Sequence, residues 1–241
     1  MISVRTKLYF STENLILQQF FVFTFPERHD KMCSYLYFSF LRGQTMDSNF
    51  FALISRMRYI ARWGLMRNAL PENIQEHSHM VAVLAHALGV IRRDIFHQPC
   101  DVNALATAAL YHDASEILTG DLPTPIKYHN AEIMSAYHAV EDLAVQKLLG
   151  MLPPELRETY ADVLAEDKDG DIYPLVKAAD KLSAYIKCIE ERKAGNNEFL
   201  SAEAQTRAAL EASPLPEMQY FLEHFIPAFE RDLDELGAIG Q

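Results

Sequence analysis

The sequence is poor in features that several classes of protein require. Only three cysteines occur among the 241 residues, at Cys33, Cys100 and Cys188, and no two of them form a CxxC pair. An odd, scattered set of cysteines argues against a disulfide framework and indicates a reducing compartment. No apolar run reaches the roughly 18 residues that a membrane helix needs, because the nearest one, residues 15–25, is interrupted by two glutamines. We therefore expect a cytoplasmic protein without a membrane span.

Several catalytic and binding motifs are also absent. The chain has no GxGxxG or Walker loop for nucleotide phosphates, no GxSxG elbow of a serine hydrolase and no HExxH motif. Basic residues are fewer than acidic ones, with 22 Lys and Arg against 33 Asp and Glu and a formal charge of −11. A surface of this sign repels nucleic-acid backbones and anionic lipids. Neither a nucleic acid nor a membrane is therefore an expected partner.

Residues 1–45 differ in composition from the rest of the chain. Ten aromatic residues fall within them, and no helical period extends across them. Met46 is followed by Asp47 and Ser48, residue types that are typical of a helix N-cap. We predict that residues 1–45 are an atypical N-terminal extension, not part of the functional domain, which covers residues 46–241. The alternative interpretation is a small strand pair or a docking arm.

Beyond residue 47, apolar residues recur at the three-to-four residue spacing of amphipathic helices, and no segment shows sustained strand alternation. Gly120, Pro123 and Pro125 break the chain into a loop. The pattern predicts an all-α, single-domain helical bundle with short loops and about seven to eight helices. The predicted helices cover residues 49–62, 75–93, 101–118, 126–149, a short segment from Pro153-Pro154, 175–191, 199–212 and 217–236.

Ionisable residues interrupt three of the apolar helix faces. His112 and Asp113 directly follow an apolar run, and Glu116 would share their face if the helix continues. His77 opens the preceding helix, and Asp180 lies in the middle of a later one. Burying such groups is costly unless they are paired or bind a metal. Two imidazoles and two carboxylates suit Mn, Co, Zn, Fe or Ni, although each residue alone is more simply a core histidine or an ion-pair partner.

The order His77, His112-Asp113, Asp180 on an all-helical chain resembles the HD-domain metal-dependent phosphohydrolases. Further motifs resemble the bacterial 5′-deoxynucleotidases of that superfamily, over roughly residues 47–241. They are Arg62-Trp63, Glu76-His77-Ser78, YHDASE at 111–116, LTGDLPTP at 118–125 and GNNEF at 195–199. Residues 1–45 have no counterpart in that family.

The resemblance implies a metal site and a reaction. It implies that His77, His112, Asp113 and Asp180 bind one divalent metal ion, of the cobalt, manganese or Zn/Cu/Fe class, and that Glu116 is the catalytic carboxylate. The reaction would be hydrolysis of a deoxyribonucleoside 5′-monophosphate to the nucleoside and phosphate, selective against ribonucleotides, in a homodimer. The implied substrate contacts are Arg62, Trp63, His77, Asp113, Asp121, Leu122, Pro123 and Thr124.

The chemistry of these residue types agrees with the resemblance. Phosphate monoesters hydrolyse very slowly in water, and a divalent metal polarises a phosphoryl oxygen and activates water. Glu116 would orient or deprotonate that water, or protonate the leaving 5′-oxygen. Arg62 can grip the phosphate through two hydrogen bonds, Trp63 can fill the space of a 2′-hydroxyl, and Asp121 can accept a hydrogen bond from the 3′-hydroxyl. The simpler alternatives are a surface ion pair for Arg62 and core packing for Trp63.

The sequence leaves three other functions open. The nearest is an HD phosphohydrolase that acts on a nucleoside triphosphate or a cyclic dinucleotide, but Lys127 is the only basic residue between positions 112 and 135. A catalytically silent nucleotide sensor would not need Glu116 beside a complete ligand set. A plain helical interaction protein would leave the ionisable residues on apolar faces without a cause.

Overall fold

The structure is a computed structural model that describes residues 48–127, 129–165 and 170–237. The chain divides into two units, Met1–Asp47 and Ser48–Gln241, and all described residues belong to the second. Residues 1–45 lie outside the described part of the chain. Their interpretation as an extension, and the predicted start of the functional domain at Met46, therefore stay predictions.

Within the described ranges, every regular element is helical, apart from one isolated antiparallel bridge between Ala61 and Asn73. Seven helices have nine residues or more, which confirms the all-α class. No helix among the described residues is long and apolar enough to cross a membrane. The α-helices are α1 (Phe50–Ile54), α2 (Ile74–Asp94), α3 (Val102–Tyr111), α4 (Glu116–Thr119), α5 (Thr124–Lys127), α6 (Ala131–Gly150), α7 (Pro154–Leu164), α8 (Tyr173–Lys193), α9 (Leu200–Glu211), α10 (Pro216–His224) and α11 (Ile226–Phe229), and two 3₁₀ helices cover Ser55–Tyr59 and Asn197–Phe199.

Side-chain caps fix the starts of three of the helices, α2, α3 and α6. Asn73 accepts hydrogen bonds from two backbone N–H groups at the start of α2, and Asp101 does the same at the start of α3. Asn130 accepts one such bond at the start of α6. These caps satisfy N–H groups that have no partner inside the helix.

Helices α2, α3 and α8 form the centre of the domain around a cluster of fully buried apolar side chains. Gly89 lets α2 and α3 approach closely, because a Cβ at this position would lie 2.7 Å from Cγ1 of Val102. Leu88, Leu105 and Leu182 are completely buried between the three helices, and each such side chain contributes about 1.5–3 kcal/mol to folding. This packing brings the start of α2, the end of α3 and the middle of α8 together.

Four predicted helices were wrong in their extent. The helix predicted over 101–118 ends at Tyr111, and a turn with backbone hydrogen bonds from Ala114 to Tyr111 and from Glu116 to Asp113 separates it from α4. The helix predicted over 49–62 divides into α1 and a 3₁₀ helix that ends at Tyr59, because the backbone beyond it pairs with the segment before α2. Those predicted over 126–149 and 217–236 are also each divided in two.

Candidate active site

Two histidines and two aspartates meet where these three helices converge. Nε2 of His77, in the first turn of α2, lies 3.0 Å from Oδ1 of Asp180 in α8 and 3.5 Å from Oδ2 of Asp113. Nε2 of His112 lies 3.2 Å from Oδ1 of Asp113, and the two imidazole centroids are 5.3 Å apart. The structure thus brings together the four residues that we predicted as metal ligands, although His112 and Asp113 are placed by a turn rather than by one continuous helix face.

The positions of the donor atoms fit a single divalent cation. Nδ1 of His112 donates to the carbonyl oxygen of Ala109 at 2.8 Å, so in the neutral imidazole the lone pair is on Nε2, which is buried and has no hydrogen-bond partner among the described residues. A metal–ligand distance of about 2.1 Å separates neighbouring ligands by roughly 3.0 Å in an octahedral site and roughly 3.4 Å in a tetrahedral one. The imidazole–carboxylate distances of 3.0 to 3.5 Å match these separations. Ligand atoms of His77, His112 and Asp180 all lie within 4.8 Å of one another.

Opposite charges set the protonation states in this cluster. Burial alone would raise the pKa of Asp113, but the two imidazoles and the Arg62 guanidinium outweigh it and hold that pKa well below its usual range. Asp180 behaves in the same way, because its hydrogen bond to His77 outweighs burial and lowers its pKa. Burial opposes the charged form of His112, yet the neighbouring aspartates raise its pKa. Both aspartates are therefore ionised at neutral pH, as carboxylate ligands of a metal must be.

A serine supports one of the histidines from behind. The hydroxyl of Ser183 lies 3.2 Å from Nδ1 of His77, on the ring edge that faces away from the carboxylates, and both residues are buried. Such a contact fixes the orientation of an imidazole that binds a metal through its other nitrogen. The sequence analysis missed Ser183, although its position three residues after Asp180 places it on the same face of α8.

The carboxyl group of Glu116 is buried at the start of α4. The residue is 7% exposed, and Oε2 has no hydrogen-bond partner in the described part of the chain. Burial and the negative charges of Asp113 and Asp121 raise its pKa to about 10, against the opposing effect of Arg62 and Lys127. A buried carboxyl that shares its surroundings with two other carboxylates is a common feature of acid–base sites.

The loop that follows α4 carries the other predicted substrate contacts. Burial raises the pKa of Asp121, and the Arg62 guanidinium and the backbone N–H of Trp63 oppose this rise, so the carboxyl group lies near both residues. The Tyr137 hydroxyl donates to the carbonyl oxygen of Gly120 at 3.3 Å and holds the start of the loop. Within the described residues, none of the next three side chains makes a hydrogen bond or an ion pair with the cluster; these are Leu122, Pro123 and Thr124.

Arg62 and Trp63 lie on the segment between the first 3₁₀ helix and α2. Nη1 of Arg62 donates to Oδ2 of Asp113 at 3.3 Å, and Nε donates to Oε2 of Glu72 at 3.1 Å. The indole Nε1 of Trp63 donates to the same Glu72 oxygen at 3.0 Å, and its ring lies against Phe199 with centroids 5.2 Å apart. The Arg62 side chain is only 13% exposed, so its ion pairs are not surface ion pairs. The sequence analysis missed Glu72, because a single glutamate in a loop carries no periodic signal.

Comparison with known proteins gives consistent matches. The family model described as 5′-deoxynucleotidase YfbR-like matches residues 49–229. The 5′-deoxynucleotidase YfbR of Shigella boydii is 51% identical over 192 residues, which cover 79% of this chain and 96% of that protein. The protein of the same name from Escherichia coli K12 is 50% identical over the same length and shares of the two chains.

Several solved structures resemble this chain in fold. An HD-domain phosphohydrolase from Listeria innocua has a TM-score of 0.68 and 25% identity, over 77% of this chain and 90% of that one. The HD phosphohydrolase DatZ of cyanophage S-2L, solved with dA and one catalytic Zn²⁺, has a TM-score of 0.50 and 24% identity, over 73% and 95%, and its likeness concerns the fold alone. The predicted superfamily is thereby confirmed, and the chain belongs to the 5′-deoxynucleotidase YfbR-like family of HD-domain phosphohydrolases.

Proposed function

We propose that the chain is a metal-dependent phosphomonoesterase that hydrolyses deoxyribonucleoside 5′-monophosphates to the deoxyribonucleoside and phosphate, and that it discriminates against ribonucleotides. Membership of a family of 5′-deoxynucleotidases supports the reaction. One observation carries the metal dependence. Nε2 of His112 is buried and lacks a hydrogen-bond partner in the described residues. His112 also offers a ligand atom within 4.8 Å of those of His77 and Asp180.

One divalent metal ion is held by His77, His112, Asp113 and Asp180. When it is bound, the ion polarises a phosphoryl oxygen and lowers the pKa of a water molecule. The short distances between imidazole and carboxylate atoms and the lowered pKa values of both aspartates support this assignment. Cobalt, manganese and the Zn/Cu/Fe class are the ions to be compared by reconstitution.

The protein's own side chains bind the phosphate and move a proton. Two of the five N–H donors of Arg62 are used by Asp113 and Glu72, so the guanidinium is oriented beside the cluster with donors left for a phosphate group. Glu116 orients the attacking water or carries a proton to or from the reacting oxygens. The burial of its carboxyl group beside the cluster supports this role.

The sugar is recognised by residues on two loops. Trp63 fills the space that a 2′-hydroxyl would occupy, and Asp121 accepts a hydrogen bond from the 3′-hydroxyl. The backbone N–H of Trp63 is close enough to Asp121 to oppose the rise in its pKa, and this proximity supports a shared pocket. Three further residues, Leu122, Pro123 and Thr124, line the same pocket because they directly follow Asp121. We also propose that the protein is a cytoplasmic homodimer, as the sequence analysis predicts. Light scattering of the full chain tests whether it is a dimer.

Phosphate release tests the proposal. The full chain is stripped with EDTA, refilled with Mn²⁺, Co²⁺ or Zn²⁺, and assayed with dAMP, AMP and dATP. We expect metal-restored phosphate release from dAMP and much slower release from AMP. A His112→Asn variant is the matched control, and it should bind less metal and release no phosphate. No release from dAMP with one metal bound per chain would refute the proposal, and release from dATP alone would point to a triphosphohydrolase.

A further inference from the structure

We propose that Glu72 is a positioning residue that holds Arg62 and Trp63 together and thereby sets the selectivity of the site for deoxyribose. The inference rests on the proposed function, which assigns Arg62 to the phosphate and Trp63 to the sugar. It adds a residue that touches neither group of the substrate and acts through the two side chains that do.

A single carboxylate oxygen joins the two side chains. Oε2 of Glu72 accepts hydrogen bonds from Nε of Arg62 at 3.1 Å and from the indole Nε1 of Trp63 at 3.0 Å. The side chains of Glu72 and Arg62 are only 16% and 13% exposed, so water screens their charges less than it screens those of a surface pair. A charge-assisted hydrogen bond in such surroundings is stronger than a neutral one.

The backbone of Trp63 needs this support. Its φ of 58° lies in the left-handed region, which bulky residues with a Cβ atom rarely adopt without contacts that hold them there. The structure supplies contacts of three kinds: the hydrogen bond from Nε1 to Glu72, the Phe199 ring, and the hydrogen bonds that the carbonyl oxygen of Trp63 accepts from Met66 at 2.9 Å and Asn68 at 3.4 Å. Among the described contacts, Glu72 is the one of these partners that also binds Arg62. The two side chains therefore depend on one another through this carboxylate.

The same side chain limits where Arg62 can turn. The other hydrogen bond of the guanidinium joins Nη1 to Asp113, one of the proposed metal ligands. Without Glu72, that bond is the one hydrogen bond of the guanidinium among the described residues, and the group can rotate about it. Its remaining donors would then no longer keep a fixed direction relative to the Trp63 ring.

The backbone around Glu72 does not depend on its side chain, so a variant is expected to fold. The backbone N–H of Arg62 donates to the carbonyl oxygen of Glu72 at 3.0 Å, and an antiparallel bridge joins Ala61 to Asn73. These bonds remain when the carboxylate is replaced. Glu72→Gln keeps the volume of the side chain and removes only its charge.

Trp63 gives a readout that does not require activity, because it is the only tryptophan among the 241 residues. In Glu72→Gln we expect a red-shifted indole emission and stronger quenching by acrylamide, with bound metal unchanged relative to wild type. We also expect the ratio of kcat/KM for dAMP to that for AMP to fall about tenfold, because the charge-assisted hydrogen bonds to Arg62 and Trp63 are replaced by weaker neutral ones.

Two control variants separate this role from general loosening of the loop. Arg67 lies in the same loop as Trp63, and its backbone N–H donates to Glu198 at 3.1 Å. Glu198 makes no described contact with Arg62 or Trp63. Glu198→Gln should therefore leave both the emission and the selectivity ratio unchanged. In a Trp63→Phe background, Glu72→Gln should lower the ratio no further, because the two residues act as a coupled pair.

Four results would overturn the proposal. They are an unchanged emission in Glu72→Gln, an altered emission with an unchanged ratio, an equal loss of ratio in Glu198→Gln, and full additivity with Trp63→Phe. Failure of the proposed function is recognised separately, because wild-type protein would then release no phosphate from dAMP. In that case the emission of Glu72→Gln still decides whether Glu72 positions Trp63.

Discussion

The buried ion pair between Lys187 and Glu191 is expected to make a large contribution to the stability of the domain. Both residues lie in α8, four positions apart, and Nζ of Lys187 lies 2.5 Å from Oε1 of Glu191. The two side chains are 4% and 0% exposed. The Glu191 carboxylate also accepts hydrogen bonds from the backbone N–H groups of Ala69 and Leu70 and from the Asn196 amide. The pair therefore ties α8 to the loop that precedes α2.

Lys187→Met removes the charge and keeps most of the side-chain volume. Breaking one partner of a buried pair costs about 3–5 kcal/mol. Burial raises the pKa of Glu191, but the hydrogen bonds from Lys187, Asn196 and the two N–H groups outweigh it and lower the pKa from 4.5 to about 2. That difference corresponds to about 3 kcal/mol for the whole set of bonds. For a domain of this size the melting temperature should fall by roughly 10 °C.

Thermal unfolding of the full chain tests this value against a matched control. Arg207 and Glu211 form a pair with the same spacing in α9, but their side chains are 62% and 54% exposed. An exposed pair contributes about 0–1 kcal/mol, so Arg207→Met should melt within roughly 3 °C of wild type. A Lys187→Met variant that melts at the same temperature as Arg207→Met would refute the reasoning.

The pH dependence of unfolding gives a second readout of the same carboxylate. Because the pKa of Glu191 is lower in the folded than in the unfolded chain, its stabilisation is fully present above about pH 4.5 and is lost as the pH falls towards 2. Glu191→Gln lacks this contribution. The difference in unfolding free energy between wild type and this variant, measured with urea, should therefore be smaller at pH 3 than at pH 7. A difference that does not change with pH would contradict the assignment.

Three further variants test the site. Glu116→Gln should release no phosphate while it binds as much metal as wild type, measured by elemental analysis; loss of the metal would mean that Glu116 is itself a ligand. Ser183→Ala should weaken metal binding about 10–100-fold in competition with a chelator, since the orientation of His77 is then free, and an unchanged affinity would speak against that contact. Trp63→Ala should hydrolyse AMP and dAMP with similar kcat/KM values, and preserved discrimination would exclude the steric role of the indole.

The helical class and the residues proposed as metal ligands follow from local patterns in the sequence. Apolar spacing predicted helices over 75–93 and 175–191, and the structure has Ile74–Asp94 and Tyr173–Lys193. His112, Asp113 and Asp180 were recognisable because ionisable side chains on apolar faces are costly to bury without a partner. Both kinds of signal concern residues that are neighbours along one helix, and such neighbours are known before the chain is folded.

The tertiary structure alone decided which distant residues share a partner. Leu70 and Glu191 are 121 positions apart, and His77 and Ser183 are 106 apart, so no helical period connects them. The same holds for Glu72, whose two bonds exist only because the loop before α2 folds back on itself. Helix propensities are worth less than about 1 kcal/mol per residue, whereas buried hydrogen bonds to charged groups are each worth about 1.5–3 kcal/mol. Contacts of the second kind hold the loop and the proposed metal ligands in place, and they form only when the helices have packed.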